Sequence, residues 1–150
     1  MISVQADPFD AGAELARLAD RSPDAGAVAS FVGLVRGGSG DGTVEALELD
    51  HHPTFTAKVV EGIAADARRR FALLDLTVIH RHGRLLPGEP IVFVAAASRH
   101  RREAFEAVDY LMDRLKTEAP FWKRELGPGG ERWIEARACD MADRARWTGE

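Results

Sequence analysis

Residues 98–125, SRHRREAFEAVDYLMDRLKTEAPFWKRE, carry the strongest fold signal in the chain. Their apolar side chains recur at helical spacing, and Ser98 is the expected N-terminal cap of the helix. Pro120 is expected to end this helix, because its ring removes a backbone donor and clashes with the preceding turn. Lys116 then lies in the last helical turn, and Lys123 follows the bend in an extended aromatic segment. The predicted apolar stripe is Ala104, Phe105, Val108, Leu111, Met112 and Leu115.

The segments around this helix predict further helices and strands. Because strands that follow one another in sequence favour antiparallel pairs, we predict an α+β fold with a mostly antiparallel sheet. Residues 37–42, GGSGDG, are expected to form a flexible loop. The predicted order is a helix over 11–19 after an Asp7-Pro8 cap, a buried strand over 26–35, a strand over 44–50, a helix over 54–71 capped by Thr54, strands over 74–81 and 91–97, the helix described above, a hairpin of 121–126 with 131–136, and a short helix over 141–147.

Size and composition indicate one soluble domain spanning residues 1–150. A net charge of −4 argues against general binding to nucleic acid. No apolar run approaches the ~20 residues that span a bilayer, and the acidic N-terminal region does not resemble a secretory signal. We therefore expect a cytoplasmic protein without a membrane segment. The single cysteine, Cys139, excludes an internal disulfide and a zinc site built on thiolates.

The two lysines at the bend are the first candidates for chemistry. A lysine beside buried apolar surface can have its pKa lowered enough for acid–base or covalent work. Lys116 lies about 80° from the centre of the apolar stripe, so it can equally be a boundary residue with its ammonium in water. The aromatic residues beside Lys123 favour a functional site. From composition alone, the two explanations remain close.

Arginines supply a second cationic group. Arg101 points within about 20° of the stripe centre, so it needs a partner: either a carboxylate such as Glu103 or Glu106, or a ligand phosphate at the helix N-terminus. Arg36 ends an apolar strand before a glycine-rich loop that matches neither the P-loop nor the dinucleotide motif. We predict a cationic pocket for an anionic small molecule, formed by Arg36, His100, Arg101, Lys116, Lys123 and Arg124.

Metal and nucleophile sites are not expected. His51 and His52 face opposite sides of a strand, and no carboxylate accompanies His80 and His82 at ligand spacing. Cys139 has only Arg137 nearby to lower its pKa. We therefore predict neither a metal nor a cofactor.

The chain resembles the large, catalytic subunit family of molybdopterin synthase. The resemblance covers about residues 26–137 and is most specific where TVIHRHGRLLPGEPIVFVAAASRHRREAF occurs together with LKTEAPFWKRE. Further matching segments are GAVASFVGLVRG, LELDHHP and GERWIEA.

The resemblance implies an α/β hammerhead-type fold with an additional small β subdomain, and a homodimer within a heterotetramer. The partner would be a small ubiquitin-like sulfur-carrier subunit ending in Gly-Gly and charged as a thiocarboxylate. The substrate would be cyclic pyranopterin monophosphate, which receives two sulfurs to form the dithiolene of molybdopterin.

By the same resemblance, Lys116 is the lysine essential for sulfur transfer, and Lys123 orients substrate or stabilises developing charge. Arg36, His100 and Arg101 resemble the site for the pterin phosphate, while Arg124 and Glu125 continue the matched motif. Two other functions stay open: a non-catalytic scaffold with the same fold, and a metal-independent enzyme acting on phosphate esters.

Overall fold

Two four-stranded sheets, a two-stranded ribbon and four helices form the computed structural model, which describes residues 1–39, 42–135 and 137–148. The helices are α1 (Ala11–Asp20), α2 (Pro53–Arg70), α3 (Arg101–Glu118) and α4 (Ala138–Ala145). The strands are β1 (Ile2–Gln5), β2 (Ala27–Leu34), β3 (Gly38–Ser39), β4 (Gly42–Thr43), β5 (Ala46–His51), β6 (Leu73–Arg81), β7 (Gly83–Leu85), β8 (Pro90–Ser98), β9 (Phe121–Gly127) and β10 (Gly130–Ile134).

The first sheet has the strand order β1-β6-β8-β2. Its strands pair antiparallel except for β1 and β6, which run parallel. Helices α2 and α3 pack on one face, where Leu76 and Val94 are buried among residues of both helices. Helix α1 covers the other face through Leu18, which packs with Ile79 and Phe93. The alternation of inward residues along β6 and β8 thus supplies two cores, one on each face of the sheet.

The second sheet has the order β10-β9-β5-β7 and is antiparallel throughout. Leu47, Leu49 and Leu85 form its buried face together with Val35. Strands β9 and β10 form the predicted hairpin, whose turn is Pro128-Gly129. The α+β class with mostly antiparallel sheets is therefore confirmed, and the second sheet is the additional β unit.

Several local predictions were wrong. Strands β1, β3, β4 and β7 were not predicted, and the helix caps are Asp10, His52 and His100, two or three residues from the expected positions. Residues 40, 41 and 136, which belong to the predicted loop and hairpin, lie outside the described residues.

The apolar stripe of α3 also differs from the prediction. Phe105 is 65% exposed, whereas Ala107 and Tyr110 are buried. Strand β2, predicted to be buried, is an edge strand whose Phe31 and Leu34 are exposed. Apolar side chains from α3 and β2 therefore meet solvent along one side of the chain.

The C-terminal helix α4 is held mainly by polar contacts. Arg144 pairs with Glu118 at 2.6 Å, and the Trp147 indole donates to Asp113 at 2.6 Å. The Trp147 ring packs edge-on against Phe71 and Tyr110. These contacts fix the chain end beside the C-terminal half of α3. Across the ranges the structure describes, we find no helix that combines the length and the apolarity needed to cross a bilayer.

Candidate active site at one end of the first sheet

The bend between α3 and β9 brings Lys116 and Lys123 to the same end of the fold. Helix α3 stops at Glu118, Ala119 is already extended, and β9 starts at Phe121. The Thr56 hydroxyl of α2 donates to the Pro120 carbonyl at 3.4 Å, which ties the bend to the neighbouring helix. Pro120 thus ends the helix as predicted, and its position places the second lysine on a strand of the second sheet.

Lys123 faces the interior of the second sheet. It lies opposite Leu49 of β5, whose side chain is buried, and it is itself half-buried. Burial lowers the pKa of Lys123 to about 8, and the positive charge of Lys116 adds to the shift. From the start of α4, Arg137 lowers the pKa further and Asp140 raises it. The Lys123 amine is therefore partly neutral near pH 8.

His80 and Phe121 form one wall beside these lysines. The two rings stack with centroids 3.9 Å apart and an interplanar angle of 13°. Burial lowers the pKa of His80 to about 3, and the charges of Lys123 and Lys116 contribute. Sequence reasoning did not select His80 for this site, although a histidine on the inward face of an apolar strand was a signal that could have found it.

Two further histidines, His51 and His82, lie next to this wall. The rings of His51 and His82 are 4.1 Å apart, and His51 also contacts Phe121. Burial lowers the pKa of His51, and the charge of His82 adds to this. Within residues 1–39, 42–135 and 137–148, no three His, Cys, Asp or Glu side chains come together as metal ligands. Cys139 is exposed on α4.

Arg36 lies at the same end of the first sheet as His80. In the strand register, Leu34 of β2 is opposite Pro90 of β8, and His80 of β6 is opposite Val92. Val35 fixes the segment before Arg36, since its amide donates to Glu89 at 3.0 Å and its carbonyl accepts from Gly88 at 2.9 Å. The Arg36 side chain is exposed, and it makes no ion pair with any described residue.

His100 and Arg101 lie at the opposite end of α3. Fifteen residues separate Arg101 from Lys116 on one continuous helix, a distance of about 22 Å at 1.5 Å per residue. The expectation that Arg101 points into the apolar stripe was wrong, because α3 begins at Arg101 and its buried residues begin at Ala104. In the described part of the chain, Arg101 has no carboxylate partner. One chain alone therefore does not bring His100 and Arg101 to the lysines.

Arg124 and Glu125 have protein partners. Because side chains alternate along a strand, Arg124 faces away from Lys123. It forms an ion pair with Glu48 and a second one, at 3.1 Å, with Glu131. Its guanidinium carbon lies 5.5 Å from the centroid of the Trp133 ring. Glu125 shares the face of Lys123 and pairs with Arg132 at 2.9 Å. The structure thus separates Arg124 from the lysine site.

Comparison with known proteins identifies the family of the chain. The sequence profile described as MoaE protein matches residues 4–118. The chain is 50% identical over 146 residues to a molybdopterin synthase catalytic subunit of Cereibacter sphaeroides, covering 97% of this chain and 99% of that protein. It is 49% identical to the protein of the same name from Escherichia coli strain K12, covering 97% of each. The solved structure of the molybdopterin biosynthesis MoaE protein from Burkholderia ambifaria MC40-6 superposes with a TM-score of 0.84 at 50% identity, covering 100% of this chain and 99% of that one. The chain belongs to the MoaE family, the family of the molybdopterin synthase catalytic subunits.

Proposed function

We propose that this protein transfers sulfur from the C-terminal thiocarboxylate of a small ubiquitin-like carrier to cyclic pyranopterin monophosphate, forming the dithiolene of molybdopterin. One observation carries the proposal: two lysines meet at the α3–β9 bend, and one of them is partly neutral near pH 8. The names of the relatives, molybdopterin synthase catalytic subunit, support the same reaction.

The two lysines are suited to different steps. Lys116 is exposed in the last turn of α3, where its ammonium can meet the anionic thiocarboxylate and stabilise charge that develops during transfer. Lys123 is half-buried, so it can orient the substrate and exchange a proton near pH 8. Sulfur arrives on the carrier in this scheme, so the exposed Cys139 has no role in the transfer.

The phosphate site is proposed to be completed by a second copy of the chain. Strand β2 pairs only with β8 among the described strands, and long apolar edges of this kind favour pairing with another chain. Phe31 and Leu34 on this edge are 42% and 56% exposed. A groove of about 470 Å³ between β2 and α3 continues the apolar surface, with Phe105 and Met112 in its lining.

A two-fold axis through this edge would join the two halves of the site. Ala27, at the start of β2, lies opposite Ser98, just before His100 and Arg101, whereas Arg36 follows the end of β2. If β2 pairs antiparallel with its copy, the start of one strand lies beside the end of the other. Arg36 then meets His100 and Arg101 of the partner subunit. Together they form a cationic site for the pterin phosphate.

The complete assembly is a heterotetramer, with one carrier bound to each subunit of the homodimer. The carrier's Gly-Gly tail reaches the lysines through a narrow passage, where residues without a Cβ fit best. The proposal includes a single functional domain over residues 1–150 and a cytoplasmic location. Glu125, paired with Arg132, shapes the sheet beside Lys123, and Arg124 supports the outer face.

The two competing functions explain the site less well. A scaffold without turnover has no use for a desolvated ammonium, which destabilises the folded chain. A phosphate-ester enzyme needs a general base to activate water, and among the described residues the proposed phosphate site offers only His100 for that role.

Replacing Lys116 tests the proposal. We expect Lys116→Ala to abolish dithiolene formation, measured with thiocarboxylated carrier in excess, while the carrier still binds. Lys58→Ala on the exposed face of α2 is the matched control and should retain full activity. Full activity of Lys116→Ala would refute the assigned role.

A further inference from the structure

The interior of the lysine site contains one buried titratable side chain that the proposed reaction does not use, His80. It lies at the C-terminal end of β6 in the first sheet and is 7% exposed. Its stacking partner Phe121 is the first residue of β9 in the second sheet. The stack therefore joins the two sheets at the bend that carries the lysines.

A hydrogen bond fixes the protonation pattern of the His80 ring. Nδ1 lies 2.9 Å from the Arg81 carbonyl oxygen. Because a carbonyl oxygen only accepts, Nδ1 must donate the proton, and Nε2 of the neutral ring carries the lone pair. Lys123 of β9, Lys116 of α3 and His51 of β5 are the titratable groups that act on this ring, and each opposes its protonation. The ring thus stays neutral beside the two lysines.

The strand connects this stack to the second lysine. Residues two apart on a strand point to the same face, so Phe121 and Lys123 lie side by side on the inner face of β9. A ring held against Phe121 therefore limits both the position of the strand and the space in which water can approach the Lys123 amine.

We propose that His80 is a positioning residue for Lys123: its neutral imidazole, stacked on Phe121, holds the start of β9 against the first sheet and keeps water away from the amine. A neutral aromatic ring with a hydrogen-bond donor for the Arg81 carbonyl meets these requirements without adding a third positive charge. The expected effect of His80 on catalysis rests on the proposed function. Its effect on the Lys123 amine follows from the fold alone.

The first measurement is independent of catalysis. Acetic anhydride labels the neutral form of an amine, so the pH dependence of Lys123 acetylation, followed by peptide mass spectrometry, reports its pKa. In His80→Asn, the smaller side chain admits water, and we expect the labelling midpoint of Lys123 to move from about 8 toward 10.5. His80→Phe keeps the stack, and its midpoint should remain near that of the unsubstituted chain.

Two controls separate positioning from general damage. His82→Asn alters a neighbouring ring that contacts His51, whereas His80 stacks on Phe121, and it should leave the Lys123 midpoint unchanged. Should His80→Asn fail to fold, Phe121→Leu removes the same stack from the other side and should raise the midpoint equally. An unchanged midpoint in folded His80→Asn, or in Phe121→Leu, would overturn the proposal.

The second measurement is the pH profile of sulfur transfer. For His80→Asn we expect a rate at pH 7.5 lower by at least about 100-fold, because a Lys123 pKa near 10.5 leaves far less neutral amine at that pH than a pKa of about 8. Its activity should recover toward higher pH, as the Lys123 amine loses its proton there. A uniform loss at every pH would contradict the positioning role. If the unsubstituted chain shows no sulfur transfer while His80→Asn still shifts the Lys123 midpoint, the proposed function is refuted and the positioning role of His80 stands.

Discussion

The half-buried ammonium of Lys123 should lower the free energy of unfolding of the protein. The shift of its pKa from 10.5 to about 8 corresponds to about 3 kcal/mol of unfavourable free energy for the ammonium in the folded state. Because the unfolded chain keeps the ordinary pKa, it binds more protons between pH 8 and 10.5, and the free energy of unfolding rises with pH across this window. Below about pH 8 the full penalty is present.

The substitution Lys123→Met removes the charge and keeps the length of the side chain. Since water still reaches the half-buried lysine, we expect a gain in unfolding free energy of about 1–3 kcal/mol at pH 7, together with loss of sulfur transfer. The gain should shrink toward zero as the pH rises past 10.5, where the lysine of the unfolded wild-type chain is neutral as well.

Urea unfolding of both chains at pH 7 and pH 10.5, at one protein concentration, measures this difference. Lys58→Met is the matched control, because Lys58 is exposed on α2 and its replacement should change stability by less than about 0.5 kcal/mol. A destabilised Lys123→Met chain at pH 7, or a gain that does not depend on pH, would refute the reasoning.

Two further substitutions test the surfaces around the site. Arg101→Ala should weaken binding of the pterin monophosphate by about 1–3 kcal/mol in a titration, the typical loss of a charge-assisted contact. Arg124→Ala removes a guanidinium already paired with Glu48 and Glu131, and it should leave that affinity unchanged. Equal losses of affinity in the two variants would contradict the separation of Arg124 from the phosphate site. Phe105→Glu places a charge in the apolar groove beside β2 and should raise the dimer dissociation constant by at least about 100-fold in sedimentation equilibrium. Phe55→Glu changes another exposed aromatic residue, on α2, and it should leave the dimer dissociation constant unchanged. An intact dimer in Phe105→Glu would place the interface elsewhere.

Local signals predicted the elements that present the lysines. The apolar periodicity before Pro120 located α3 within three residues of its start, and the glycine-rich turn located the β9–β10 hairpin. Both depend on contacts close in sequence. Strand β1 has only four residues, and it is held by parallel pairing with β6 more than seventy residues away, so no local pattern revealed it.

The prediction of the site was limited by its long-range geometry. A helical wheel describes directions around an axis and carries no information about length, so it did not show that α3 separates Arg101 from Lys116 by about 22 Å. The continuous apolar run of β2 predicts a buried strand, yet the outer edge of β2 has no partner strand within the described chain. The sequence analysis considered His80 only as a metal ligand, because its stack on Phe121 depends on packing between two sheets.

The most direct test of the shared site is complementation between two impaired chains at limiting substrate. Lys116→Ala and Arg101→Ala are each expected to impair every site in their own homodimers. In a mixed dimer, one site contains both substitutions and the other contains neither. After subunits exchange at equal concentrations, half of the dimers are mixed, so sulfur transfer should return to about a quarter of the wild-type rate. A mixture no more active than its separate components would contradict a site built from two copies of the chain.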